Sequence, residues 1–170
     1  MANVWAILAT GPSMSLAVAQ SVRDKHVIAV SNAYKLAGWA DALVSQDIAW
    51  WNFHKDALLF PGRKFSTNKI DGVEYFDSFA AVKQAFGTGC NSGLIACLVA
   101  QYLGAKRIEL YGFDMNGDHF FGRHPEPLKN PNAQRYAAMC QDFKRWNHDG
   151  IEVINMTPNS ALKCFPNEAK

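Results

Sequence analysis

Four residues that can do chemistry crowd one short irregular segment. Asp114 closes an apolar run, and His119, Arg123 and His124 follow it within ten positions. A histidine titrates near neutral pH, so either ring suits the removal of a proton from a hydroxyl. An aspartate at this place could bind a metal, orient a hydroxyl or act as a base, or it could cap the loop that follows. Arg123 suits a phosphate, although arginine is equally ordinary on a surface. The five-residue spacing of the two histidines in irregular chain gives only weak support to metal ligation. The plain alternative is a pair of solvated loop histidines.

Those residues matter only if the fold gathers them. Val4-Trp5-Ala6-Ile7-Leu8-Ala9 is an unbroken apolar run that Thr10-Gly11-Pro12-Ser13 breaks, and a helix-compatible stretch follows from Ser15 to Gln20. Strand, glycine turn and helix start is the arrangement by which open α/β sheets hold a phosphate, because glycine admits a ligand to the backbone and helix-start N–H groups attract anions. An ordinary strand-to-helix turn is the alternative. Further apolar runs at 26–30, 42–45, 57–60, 73–76, 107–112 and 151–154 predict strands. Helices are predicted from Asn91 or Ser92 to about Leu103, with a core stripe of Leu94, Ile95, Leu98 and Tyr102, and from Asn132 to about His148. In the second, Tyr136, Met139, Cys140 and Phe143 share one face.

Strands alternating with helices predict an α/β fold, a Rossmann-like doubly wound, mostly parallel sheet. It would form a single nucleotide-binding domain over 1–170, with a short lid insertion at 115–131. Ligands of such sheets bind beyond the carboxyl ends of the strands. Thr10 to Ser13, Ser31-Asn32, Ser45-Gln46-Asp47 and Asp114 onward are all polar and all follow apolar strands. Met115 to Pro131, with three prolines and two glycines, is too long for an ordinary turn and reads as a lid. Asp47 reads slightly better as the cap of the helix holding Trp50 and Trp51. Those tryptophans and Phe53 read as core more than as a stacking platform. His26, His54 and His148 read as strand-edge or surface residues.

Hydrophobic residues make up 49% of the 170 and charged ones 19%, which excludes a disordered chain. A net charge of +2, without runs of basic residues, gives no argument for a nucleic-acid partner. No apolar stretch approaches a membrane span, and the first apolar run lacks the basic flank of a secretory leader. Cys90, Cys97, Cys140 and Cys164 have no metal spacing; Cys97 and Cys140 read as reduced core thiols, and a cytoplasmic protein is expected. A homo-oligomer is left open.

The ordered blocks Gly11-Pro12-Ser13, Ser31-Asn32, Asn91-Ser92-Gly93-Leu94-Ile95-Ala96-Cys97, Ala105 to Asp114 and Pro158-Asn159-Ser160 carry a resemblance. The chain resembles the glycosyltransferase family 42 sialyltransferases, bacterial enzymes that use CMP-sialic acid. The core is also similar to the archaeal type of 6-hydroxymethylpterin diphosphokinase. The resemblance implies that Gly11, Pro12 and Ser13 lie against phosphate and ribose and that Asn32 and Gln46 lie near the nucleotide. It also implies that Ser92 and Gly93 hold sugar or phosphate, and that Pro158, Asn159 and Ser160 touch base or ribose. The partner implied is a nucleotide or nucleotide-sugar, and the sialyltransferases need no cofactor or essential metal. Where that family has two tyrosines, a base histidine and a donor-binding arginine, this chain has the stretch from Met115 to Phe120, Ala133 and Gly89. The base then falls to His119 or His124, and the cation to Arg123. The expected activity is glycosyl transfer from a CMP-type donor to a hydroxyl. The alternatives are Mg²⁺-ATP pyrophosphoryl transfer using Asp47, Asp114 and Asp118, or nucleotide binding without catalysis.

Overall fold

The computed structural model describes residues 3–86 and 90–169; Gly89 lies outside them. Its elements run β1 (Val4–Leu8), α1 (Leu16–Gln20), β2 (His26–Val30), β3 (Ala42–Val44), α2 (Ile48–Phe53), β4 (Arg63–Ser66), β5 (Glu74–Tyr75), α3 (Ser78–Val82), α4 (Ser92–Tyr102), β6 (Arg107–Tyr111), α5 (Ala133–Arg145) and β7 (Glu152–Asn155). The seven strands form one sheet in the order β5-β4-β3-β2-β1-β6-β7, and every pairing is parallel. This is the doubly wound, Rossmann-like α/β arrangement. The chain moves outward from β1 to β5 and returns to the other side of β1 with β6. The topological switch point, where such sheets bind ligands, therefore lies between β1 and β6.

A parallel sheet covered on both faces needs strands that are apolar throughout. Ala6, Ile7, Leu8, Val27, Ile28, Ala29, Leu43, Val44, Ile108 and Leu110 are all fully buried. Alternate residues feed two cores. Ile7, Ile28, Val44 and Leu110 pack with α4, while Leu8, Ala29, Leu43 and Trp51 pack on the opposite face. Helix α4 lies across β1, β2 and β3, and every residue from Gly93 to Ala100 is buried. Its expected single stripe is thus a fully enclosed helix, and Tyr102, expected in that stripe, is 53% exposed. α5 keeps its expected face, yet only Phe143 is buried and Tyr136, Met139 and Cys140 are half-buried. Asn132 caps α5 by accepting the Arg135 N–H at 2.8 Å. Cys97 is a core thiol, whereas Cys140 sits at the core's edge.

One strand moves. Residues 57–60 belong with a 3₁₀ turn at Lys55–Leu59, followed by Phe60, and the strand is β4, just past Pro61-Gly62. Ala57 and Phe60 are buried while Leu59 is 85% exposed, so the apolar run marked burial but not a strand. β4 opens with two cations because it lies near the sheet's edge. The Arg63 guanidinium covers the Phe65 ring at 4.6 Å and grips Glu74 of β5 through two bonds of 2.9 and 2.7 Å. His54 is likewise buried, not superficial. Among the described residues, no helix is long and apolar enough to cross a membrane.

Candidate functional site

The strand ends open into a cavity of about 400 Å³, continuous with a smaller lobe of about 150 Å³ through Ser31, Asn91, Ser92, His119 and His124. Its floor is Ser31 after β2, Ser45-Gln46-Asp47 after β3, and Thr10-Gly11 after β1. One wall is the start of α4, and the roof is the lid with its Lys129, Asn130 and Pro131. Arg135 and Met139 of α5 close the side. α4 has eleven residues, long enough to carry a macrodipole with its positive end at the cavity. Asn91 caps it, accepting the Leu94 N–H at 2.8 Å, while the same side chain's Nδ2, in a residue only 8% exposed, has no partner. The Ser92 hydroxyl accepts the Gln46 N–H at 3.1 Å and ties the α4 start to the end of β3. Gly93 is small because a Cβ there would meet Phe113 Cε1 at 2.9 Å.

The lid is tied down at several points. His119 and Gly122 exchange backbone hydrogen bonds of 2.8 and 2.9 Å, and the Phe120 N–H donates to the Thr10 carbonyl at 2.9 Å. His124 is clamped by Asn130, which accepts its N–H at 2.7 Å and donates to its carbonyl at 3.0 Å. These contacts bring the two histidine rings edge-to-face, 4.6 Å apart, while Phe121 stacks on His119 at 4.9 Å.

His119 is held by Thr10. Nδ1 lies 2.9 Å from Thr10 Oγ1, and a hydrogen bond to the Thr10 backbone raises the ring's pKa against the lowering by burial. Nδ1 shares a bond with the Thr10 hydroxyl, its direction set by the tautomer, and Nε2 is buried without a partner. Burial also lowers His124, and the positive charge His119 could carry beside it lowers it further, to about 4. Both rings are neutral at pH 7, the state a base requires.

The same shift predicts a pH dependence of stability. A histidine titrating near 6.5 when unfolded and near 4 when folded binds more protons unfolded between those limits. Its contribution is complete above pH 6.5 and is lost as pH falls to about 4. The loss is on the order of 2 kcal/mol, allowing for water at a half-buried ring. Urea unfolding of wild type and His124→Gln from pH 7 to 4 should show the variant losing less stability; equal losses would contradict this assignment.

Other expected site residues lie elsewhere or serve the fold. Asp114 is buried and accepts from the Ser13 hydroxyl at 2.8 Å and from the Ser13 N–H at 3.3 and 3.4 Å. The Gly11-Pro12-Ser13 turn is thus closed by a carboxylate where a phosphate was expected. α1 behind it is only five residues long. Gly11 lines the smaller lobe, but Pro12 and Ser13 do not. Asn32 is buried and accepts the Trp50 indole N–H at 2.7 Å. The Ser160 hydroxyl donates to the Phe113 carbonyl and accepts the Leu162 N–H. Pro158, Asn159 and Ser160 line neither lobe; they close the loop over the end of β6. Arg123 pairs with Asp118 at 3.1 Å, and both line an adjoining hollow, neither lining the central cavity or its smaller lobe.

Asp47 lines the central cavity and caps α2 through Ala49 N–H at 2.8 Å. The three carboxylates nominated for Mg²⁺ are thus dispersed: Asp47 in the cavity, Asp114 on Ser13, Asp118 outside. The described residues contain no group of three His, Cys, Asp or Glu able to hold a metal, and of the three nominated carboxylates Asp47 alone lines the cavity. Sequence reasoning missed Lys129, Asn130 and Arg135. Lys129 and Asn130 lie in the lid it did identify, and Arg135 lies in the first turn of α5, one face away from the apolar stripe.

No family model, curated protein or solved structure matches the chain.

Proposed function

We propose that the protein transfers a glycosyl group from a nucleotide-linked donor to an acceptor hydroxyl without a metal. The observation that carries this reading is the buried, unpartnered Nε2 of His119, in a residue that lines the same cavity as the α4 N-terminus. The donor's phosphate would sit at Ser92 and Gly93, where first-turn N–H groups and the dipole favour an anion. Lys129 and Arg135 add positive charge. The acceptor oxygen bonds to the anomeric carbon as the bond from that carbon to the phosphate oxygen breaks. The electron pair leaves with the nucleotide phosphate, and the hydroxyl proton passes to His119 Nε2. The helix start stabilises the departing charge by oriented dipoles. The resemblance to CMP-sialic acid enzymes suggests a CMP-type donor. Pyrophosphoryl transfer is less favoured because the candidate carboxylates are dispersed.

Thermal unfolding with CMP, UDP, ADP and ATP, each with and without Mg²⁺, tests this reading. A ligand at 100 times its dissociation constant stabilises by about 2.7 kcal/mol. A cytidine-selective shift without metal is expected. An ATP shift that requires Mg²⁺ would favour pyrophosphoryl transfer, and no shift with any nucleotide would overturn the proposal.

A further inference from the structure

The smaller lobe differs in character from the cavity it opens into. It holds about 150 Å³, the size of cavity that accepts one benzene ring. Its walls are Ala9, Val30, Phe113, Met115, Pro131 and Met139, with bare backbone at Gly11, Gly93 and Gly112. Among the described residues, no aspartate, glutamate, lysine or arginine lines it, whereas Asp47, Lys129 and Arg135 line the main cavity. Where the two spaces join, three residues that line both each hold a buried nitrogen without a partner: Asn91 Nδ2, His119 Nε2 and His124 Nδ1. Asn91 is only 8% exposed, and its Oδ1 is committed to the Leu94 N–H at 2.8 Å. The amide therefore cannot turn round, and Nδ2 is left to donate. A buried donor of this kind costs free energy until a ligand pairs with it.

We infer that this lobe holds the acceptor and that the acceptor is a small uncharged phenol, one aromatic ring bearing a hydroxyl. The inference rests on the transfer reading of the central cavity. A sugar would bury more hydroxyls in the lobe than its few free polar groups can pair, and no lining charge offsets the desolvation of an ion. A single hydroxyl is matched. Its oxygen accepts from Asn91 Nδ2 while its proton faces His119 Nε2, and the ring packs beside Phe113. Burial lowers the pKa of His119 and so weakens it as a base. A phenol ionises at about 10, far below an aliphatic hydroxyl, which suits a weak base. In the transfer, the phenol oxygen bonds to the anomeric carbon as that carbon's bond to the phosphate oxygen breaks. The electron pair leaves with the nucleotide phosphate, and the phenol proton passes to His119 Nε2.

Fluorine NMR titration of the full chain with para-fluorophenol, without and with saturating CMP, tests this. Calorimetric titration of CMP runs in parallel. Para-fluorophenol should bind, and CMP should not displace it. Fluorobenzene, which lacks the hydroxyl, should bind about three- to tenfold more weakly. Asn91→Ser keeps a good helix cap and removes the amide donor, so it should weaken para-fluorophenol by a similar factor. A fluoronaphthol, whose second ring exceeds the lobe, should bind at least about tenfold more weakly than para-fluorophenol. The phenol site is overturned if para-fluorophenol does not bind, or if fluorobenzene and the fluoronaphthol bind as tightly as it does. It is also overturned if Asn91→Ser folds and binds para-fluorophenol unchanged. Displacement of para-fluorophenol by CMP would give the lobe to the donor and overturn the acceptor role. Binding of para-fluorophenol without any binding of CMP would instead overturn the transfer reading and leave the ring site standing.

Discussion

Gly11→Ala should fail to reach the native fold, or reach it with a loss above about 4 kcal/mol. A Cβ at this position would lie 2.0 Å from Asp114 Oδ2, 2.8 Å from its Cγ and 2.5 Å from the Gly112 carbonyl oxygen. Neither neighbour can retreat. The Gly112 carbonyl accepts the Gly11 N–H at 2.9 Å, and the carboxylate is held by the Ser13 hydroxyl and N–H. The crossing of the β1 and β6 loops at the switch point therefore requires a residue without a side chain. A domain of this size is stable by only about 5–15 kcal/mol, so the clash removes a large part of the total. Gly38→Ala is the control. Its nearest neighbour would be 3.6 Å away, and the change should be neutral or stabilising by up to about 1 kcal/mol. Removing the carboxylate as well, in Gly11→Ala/Asp114→Ala, should rescue only in part, because the 2.5 Å approach to Gly112 remains. Urea denaturation of the four proteins checks this; equal stability of Gly11→Ala and wild type would contradict the described crossing.

His119→Ala should lower turnover of a nucleotide-sugar donor by about 10²- to 10⁴-fold, the range for removing a positioned base. CMP affinity should stay within about twofold, since the phosphate site is built on α4. The ring also bonds Thr10 and stacks on Phe121, so His119→Gln serves as a bulkier companion that cannot take up the proton. Both variants should lose turnover while keeping CMP binding. His124→Ala should cost less, because in the proposed transfer the proton passes to His119 Nε2 and His124 stands edge-on to that ring. Unchanged turnover in both His119 variants would move the base elsewhere.

The parts of the fold that were legible in sequence share one property: burial on both faces. β1, β2 and β3 are apolar almost throughout because helices cover both sides of the sheet, β6 and β7 keep apolar residues among their charged ones, and the bounds of all five emerge within a residue or so. β4 was hidden because Arg63 and Lys64 open it. An arginine stem lying on Phe65 does the work of an apolar residue while reading as polar. The run at 57–60 misled for the converse reason: its Ala57 and Phe60 are buried from a 3₁₀ turn and not from a strand. The site divides in the same way. The rule of strand ends located the cavity, and the lid's irregularity located His119 and His124. Which polar side chains turn inward was not legible, because each buried donor or acceptor is claimed by a tertiary neighbour that the sequence does not place beside it. The Trp50 indole claims Asn32, the Phe113 carbonyl claims Ser160, and Asp114 claims Ser13. Lys129 and Arg135 enter the cavity only because the lid folds back over the start of α5.

The central claim is that an anionic nucleotide binds at the α4 N-terminus, and a calorimetric titration of CMP into wild type and Ser92→Asp tests it most directly. Aspartate suits the first turn of a helix and can accept the Gln46 N–H as the serine does, so the fold should be preserved while a negative charge occupies the anion position. Wild type should bind CMP without added metal, and the variant should bind it at least about tenfold more weakly, the equivalent of 1.4 kcal/mol. No binding by wild type, or equal affinity in the two proteins, would contradict the account.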